Sequence, residues 1–425
     1  MAKLTFNKLK ITEAIWLPQI AEHWELVKVR HLFKESTKKG FPNETLLVAS
    51  QEHGVVSKDA YGKRTVEATK DLQNLKLVEK GDFVISLRSF QGGIEVAHER
   101  GIISPAYTVL KETRQIEKRY FKNLFKSPPF ISLMTLCVKG IREGQNIDYP
   151  TFKNEYLPLP PLEEQQAIAA YLDKKNSEID KFIRNKEKLI DLLEEEKKSI
   201  IINSVSKGIA NVELADFGND WLGSLPKHWQ IKRNKLLFRK TKNIIGNKSS
   251  KYKILSLSVN GVIERDIESN FGKMPTTFND YQVIYPDTLL MCLFDIDVTP
   301  RGIGYVGQVG ITSAAYTNLI KVDKGINLEY YYYWFLSLDF NKRLLEFATN
   351  LRNTVLMDVF GALYSPYPPI VEQQQIVEYI KIEVAKLEAA IKNAKLEISS
   401  IKEYRQALIT DLVTGKRSVP QLQMS

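Results

Sequence analysis

The sequence predicts an α/β (α+β) protein: two tandem globular lobes with two long helices that pair as an antiparallel coiled coil, one pseudo-twofold internal repeat. Three observations support this. The segment Leu157-Pro-Leu-Pro-Pro-Leu-Glu-Glu-Gln-Gln-Ala-Ile168 returns as Ser365-Pro-Tyr-Pro-Pro-Ile-Val-Glu-Gln-Gln-Gln-Ile376, 208 residues later. Each copy opens a stretch with a seven-residue apolar repeat. Ahead of each copy, short apolar runs alternate with turn formers, the pattern of mixed strand and helix.

The repeat extends upstream. His23-Trp24 matches His228-Trp229, Leu32-Phe33 matches Leu237-Phe238, and Ser104-Pro-Ala-Tyr107 matches Ser313-Ala-Ala-Tyr316. The chain therefore divides into a first lobe at 1–155, a central helical region at 156–210, a second lobe at 211–365 and a C-terminal helical region at 366–425. Within the lobes, Leu46-Leu-Val-Ala49, Phe83-Val-Ile-Ser-Leu87 and Thr288-Leu-Leu-Met-Cys-Leu-Phe294 read as strands. Gly81-Asp82 and Pro286-Asp287 precede the second and third as turns. The aromatic runs Tyr120–Phe125 and Tyr330–Phe335 read as helices packed within each lobe, with base stacking as the alternative.

In the first long helix, Leu172, Ile179, Lys186, Leu193 and Ile200 lie seven apart, and Ala169, Asn176, Ile183, Ile190 and Lys197 precede them by three. The second helix repeats this seam as Ile380, Leu387, Ala394, Ile401 and Leu408, with Val377, Val384, Ile391, Ile398 and Arg405. Such a register is the signature of a coiled coil. At ~1.5 Å per residue, about 45 residues make a rod of roughly 65 Å. Gly208 and Gly415 stand at equivalent helix stops. A lone helix of this kind leaves its seam exposed, and two in one chain bury it on each other. Lys186, Lys197, Asn176 and Arg405 interrupt the seam, either to fix register or to mark a partner's docking place.

Composition is that of a globular protein, 44% apolar and 26% charged in 425 residues. No uninterrupted apolar run reaches the ~18 residues of a membrane span, and the start has no signal-like apolar core. Cys137 and Cys292 read as buried free thiols of a cytoplasmic protein. The net charge of +10 is uneven: residues 1–155 hold 25 Lys and Arg against 18 Asp and Glu, and residues 211–365 hold 18 against 15. Nucleic acid is the natural partner for such basic lobes.

No complete active site is legible. Five histidines show no metal spacing, two distant cysteines make no zinc site, and no phosphate-binding Gly-x-x-x-x-Gly-Lys loop occurs. Ser127-Pro-Pro-Phe130 fits the signature by which amino-methyltransferases hold a flipped base. It lacks an S-adenosylmethionine-binding glycine turn, and it reads better as a turn after the aromatic helix. What remains are polar and basic loops at matched places. Arg88 and Gln91 follow one strand and Arg301 follows its counterpart. Lys139, Arg142, Gln145 and Asn146 are matched by Arg352 and Asn353. Arginine can bridge guanine, and glutamine or asparagine can bridge adenine. Lys38, Lys39, Lys240, Lys242 and Lys248 suit phosphates.

With these lobes, two Pro-Leu-Pro-Pro-Leu-x-Glu-Gln-type segments and two long helices, the chain resembles the specificity subunit of type I restriction–modification enzymes along nearly its whole length. Leu157–Gln166 leading to Tyr171-Leu172-Asp173, and the tail Leu408-Ile-Thr-Asp-Leu-Val-Thr-Gly-Lys416, bear the resemblance. It implies a non-catalytic DNA-recognition subunit. Each lobe would be a target-recognition domain for one half of a split, asymmetric sequence in double-stranded DNA. The helix pair, with Leu172, Ile179, Ile183, Ile190, Leu193, Ile200, Ile380, Leu387, Ile391, Ile398, Ile401 and Leu408 as the subunit and coiled-coil interface, would act as a ruler and dock two modification subunits. S-adenosylmethionine, ATP and Mg would sit on the modification and restriction subunits, and this chain would hold no cofactor. The apolar helix flanks would also let the chain dimerise when alone. The alternatives are an amino-methyltransferase using Ser127–Phe130 and a coiled-coil adaptor with no DNA role.

Overall fold

A computed structural model describes residues 5–51, 53–62, 71–139, 146–265 and 277–419. The chain forms two compact units, Met1–Lys186 with Leu396–Ser425, and Glu187–Lys395. Each unit thus combines one lobe with the first part of one long helix and the last part of the other.

The lobes share one strand plan. In unit 1 a four-stranded antiparallel sheet runs in the order Glu95–Val96, Phe83–Ile85, Thr108–Glu112, Phe33–Ser36. In unit 2 the order is Ile303–Val306, Thr288–Met291, Thr317–Lys321, Phe238–Thr241. The satellite pairs match as well. Leu47–Ser50 with Gly54–Ser57 corresponds to Leu255–Ser258 with Gly261–Glu264. Lys76–Val78 with Gly101–Ile103 corresponds to Gln282–Ile284 with Gly310–Thr312. The proline-rich segments are themselves strands: Tyr156–Leu159 pairs with Glu25–Lys28, and Tyr364–Tyr367 with Gln230–Arg233. Proline has no N–H to give a ladder, so these pairs sit outside the four-stranded sheets.

The aromatic runs are core helices. Tyr120, Phe121 and Phe125, like Tyr330, Tyr331 and Phe335, are 1% exposed or less, so packing and not base stacking claims them. Here the lobes diverge. Unit 1 has two helices, Lys118–Phe125 and Pro128–Leu136, where unit 2 has a single helix, Leu328–Phe340. Pro128 and Pro129 lack the N–H a continuing helix needs and disfavour a helical residue before them, so the helix breaks and restarts with Ser127 as N-cap. The expected turn at Ser127-Pro-Pro-Phe130 is therefore a helix start. Ser127 Oγ donates to Leu124 O at 2.7 Å and Ser337 Oγ to Trp334 O at 2.7 Å, a matched bond on both backgrounds.

The long helices span Leu162–Lys207 and Ile370–Val413, 46 and 44 residues. Within unit 1, Arg405 bonds Asp180 and Lys186 bonds Glu397; within unit 2, Lys197 reaches Glu388. As the number rises on one helix it falls on the other, so the two pack antiparallel in each unit. Three of the four polar seam residues thus pair across the helices, which favours register fixing over an empty docking place. Leu172, Ile179, Ile183, Ile380, Ile391 and Leu408 are buried, while Ile190, Leu193, Ile200, Leu387, Ile398 and Ile401 are half-buried. Ile168, Ala169 and Leu172 join the core of unit 1 together with Leu408, Leu412 and Val413, and Ile201, Val205, Ile376 and Ile380 do the same in unit 2.

Both helices stop where expected. Gly208 has φ +74° and Gly415 φ +73°, the left-handed cap that glycine adopts without strain. At Gly415 a side chain would also meet Trp24 and Ala21 N at 2.9 Å.

Candidate nucleic-acid interface

The repeated motifs turn out to be the fastenings between lobe and helix. Glu164 Oε2 accepts from Trp24 Nε1 at 3.0 Å and lies 2.8 Å from His23 Nε2; Glu372 takes Trp229 Nε1 at 3.0 Å and His228 at 2.8 Å. The neighbouring glutamine binds the lead-in to the aromatic helix. Gln165 accepts from Glu117 N and donates to Pro160 O, and Gln373 accepts from Asn327 N and donates to Pro368 O. Tyr120 Oη donates to Val413 O and Tyr330 Oη to Val205 O, occupying helix-end carbonyls that lack a partner of their own. Trp16 and Trp221 likewise donate to Tyr156 O and Tyr364 O. A scaffold tied this way holds the loops above it in fixed places.

Those loops form a cleft at the same position in each lobe. In lobe 1 it has a volume of about 410 Å³ and is lined by Ser50, Gln51, Tyr61, Ser86, Arg88, Gln91 and Tyr107 among others. In lobe 2 it measures about 270 Å³, and Ser258, Val259, Cys292, Phe294, Arg301 and Tyr316 stand there. Strand register pairs Ile85 with Thr108 in lobe 1 and Met291 with Thr317 in lobe 2, so Ser86 corresponds to Cys292, Arg88 to Phe294 and Tyr107 to Tyr316. One frame carries two chemistries. Gln51, Arg88 and Gln91 make the first cleft polar and cationic. Phe294, stacked on Tyr316 with ring centres 6.2 Å apart, makes the second more apolar. Burial pushes the Cys292 thiol and the Tyr316 hydroxyl up from their usual pKa, keeping both neutral at pH 7.

The expected DNA-contacting residues separate into groups. Arg88 and Gln91 are exposed on the helical turn Ser89–Gly92 and its N-cap, beside the lobe 1 cleft. Arg88 has no side-chain partner among the described residues. Lys139 and Asn146 are paired positions of a hairpin, and Lys139 is ion-paired with Asp148 at 2.6 Å. Arg142 and Gln145 lie outside the described residues. Lys38, Lys39, Lys240, Lys242 and Lys248 are exposed, with Lys38 5.1 Å above the Phe41 ring. Arg301 and Arg352 of lobe 2 are committed internally. Arg301 donates to Val259 O at 2.6 Å and Tyr332 Oη at 2.7 Å. Arg352 grips Asp295 with two nitrogens and lies over Phe294 at 5.0 Å, and this pairing holds the Asp295 carboxyl below its ordinary pKa. Asn353 sits in a tight turn with φ +42°. Sequence reasoning passed over Gln51, Tyr107 and Tyr316. The Tyr107–Tyr316 match of the repeat was the available signal.

Ser127-Pro-Pro-Phe130 offers no base-binding pocket, since Ser127 and Phe130 are fully buried and Phe130 packs on Phe125, Trp16 and Phe152. Among the described residues no group of three or more His, Cys, Asp or Glu is placed to hold a metal ion, and no helix is long and apolar enough to cross a membrane.

Residues 21–195 match the type I restriction modification DNA specificity domain. The type I restriction enzyme MjaVIII specificity subunit of Methanocaldococcus jannaschii is 24% identical over 438 residues, covering 95% of each protein. Among solved structures, the HsdS subunit from Thermoanaerobacter tengcongensis shares the fold with a TM-score of 0.55 at 16% identity, over 93% of this chain and 98% of that one. A chain from a structural study of complex assembly and conformational transition of the type I R–M system superposes at 0.66 and 16% identity, over 93% and 99%. The specificity-domain match thus spans the first lobe and most of the first long helix, and along nearly its whole length the chain is similar to type I restriction enzyme specificity subunits.

Proposed function

We propose that each lobe recognises one half of a bipartite, asymmetric target in double-stranded DNA, while the antiparallel helix pair, acting as a coiled coil, sets the spacing and docks modification subunits. The observation that supports this best is the pair of clefts, equal in position and unlike in lining. Two lobes on one plan with Arg88 at one place and Phe294 at the other suit two different half-sites, hence a target that is no palindrome. The exposed lysines Lys38, Lys39, Lys240, Lys242 and Lys248 serve phosphates, which position the lobe and carry no sequence information. The half-exposed apolar residues Leu189 and Leu192 on the first helix, and Tyr379 and Ile382 on the second, are surfaces for the two modification subunits.

Catalysis belongs to those partners in this reading. S-adenosylmethionine sits on the modification subunits, and ATP and Mg on restriction subunits that join the cytoplasmic complex. The test is methylome sequencing of a host without other methyltransferases, co-expressing this chain with a type I modification subunit. A split methyladenine motif with unlike halves is expected. No new methylation, with both proteins soluble and co-purifying, would overturn the proposal.

A further inference from the structure

The turn Asn350-Leu-Arg-Asn353 holds a side chain with no structural work to do. Leu351 is 103% exposed, above even the reference for a free residue. A single exposed leucine is ordinary on a protein surface; the scaffold beneath this one is not. Thr349 and Thr354 exchange backbone bonds at 2.9 and 3.0 Å, Asn353 N donates to Asn350 O, and Asn350 Oδ1 takes Arg352 N. Asn350 and Asn353 have φ of +64° and +42°, a region that asparagine tolerates better than most residues. The turn is then fastened to the cleft loop. Asp295 N donates to Arg352 O at 2.7 Å, Arg352 grips the Asp295 carboxylate, and the guanidinium covers Phe294 of the cleft wall.

This fastening has an electrical consequence. Asp295 cancels the charge of Arg352, so the tip is locally neutral in a lobe with a basic excess. A neutral, stiff tip with an apolar apex is poorly suited to phosphate and well suited to the one apolar group on a base edge in the major groove, the thymine 5-methyl. Val298, 73% exposed on the fastened Asp295 loop, extends the apolar character.

We propose that Leu351 is a specificity residue of lobe 2 that packs on a thymine methyl. The inference rests on the reading of the lobes as DNA-recognition domains, and its test separates the two. The full-length chain, co-purified with a type I modification subunit, selects from a duplex library with 30 random base pairs at fixed salt. Each thymine of the selected motif is then replaced by deoxyuridine, which lacks only the methyl group. In the wild type one thymine should be sensitive, weakening binding roughly fourfold, the worth of one buried methyl. Leu351→Ala should bind the thymine duplex more weakly by a similar factor or more and show no further loss with deoxyuridine, at an unchanged melting temperature. Deoxyuridine sensitivity nowhere in the motif, equal sensitivity in the variant, or an equal loss by the variant on scrambled duplex would each overturn the Leu351 contact while leaving DNA recognition standing. If the wild type selects no motif, the wider reading falls and the contact with it.

Discussion

Removing the Glu164 carboxylate should loosen lobe 1 from its helix more than the matched change at Glu372 loosens lobe 2. Glu164 is 6% exposed and Trp24 1%, so in Glu164→Ala the indole N–H has neither partner nor water. A buried unsatisfied donor costs about 1–3 kcal/mol, and the lost methylene contacts add ~0.8 kcal/mol per group. The expected loss is about 2–4 kcal/mol. The Glu372 side chain is 21% exposed beside a half-exposed His228, so water can replace it and the loss should be nearer ~1 kcal/mol. Hydrogen exchange resolved by peptide reads the two helix starts separately, which matters because a chain of two units need not unfold in one step. The pairing is isolated by a double-mutant cycle with Trp24→Phe, which keeps most of the ring and deletes the donor. A coupling of about 1–2 kcal/mol is expected for groups in direct contact. Additivity of the two changes within ~0.5 kcal/mol, or a larger effect at Glu372, would refute the argument.

Arg88→Ala should relax specificity at one position of one half-site, by roughly 1–3 kcal/mol in competition binding, and leave the other half unchanged. An unaltered target preference would remove Arg88 from the interface. Leu193→Asp places a charge in the half-buried helix seam of unit 2 and should cost about 2 kcal/mol or more, with loss of the modification subunit in pull-down; retained assembly would count against the docking proposal. Gly415→Ala combines a positive φ with a contact at 2.9 Å and should cost well over the ~1–2 kcal/mol of the backbone strain alone. Gly40→Ala, at φ +92° with open space around it, serves as the control for strain without collision. Tyr120→Phe and Tyr330→Phe each delete one bond to a helix-end carbonyl and should cost about 1 kcal/mol in thermal unfolding.

Local and periodic features were legible from sequence. The heptad seam needs only spacing, and Gly208 and Gly415 end helices by an intrinsic backbone preference. The break at Pro128 follows from the missing N–H, although the turn expected there is in fact a new helix, because two prolines suit a first turn as well as they stop a last one. Features that depend on residues far apart in the chain were not legible. Nothing near Arg352 in sequence announces Asp295, 57 residues away, and an arginine in a polar loop looks the same whether it is free or already gripped. Leu351 escaped notice for the converse reason: beside two asparagines and an arginine it looked incidental, and only the closed turn shows which side chain faces outward.

The division between what repeats and what differs bears on function more than either half alone. Trp16 and Trp221, the His-Trp pairs with Glu164 and Glu372, Gln165 and Gln373, and Tyr120 and Tyr330 make matching hydrogen bonds to equivalent partners in both units. All of them hold a lobe on its helices. The cleft above keeps Ser50 with Ser258 and Tyr107 with Tyr316 but exchanges Arg88 for Phe294 and Gln51 for Val259. A duplicated enzyme centre would be expected to repeat its reactive groups and drift in its fastenings. Here the fastenings repeat and the cleft linings change. That pattern suits the proposed function, in which each lobe is held on its own helices while its cleft answers to a different stretch of DNA.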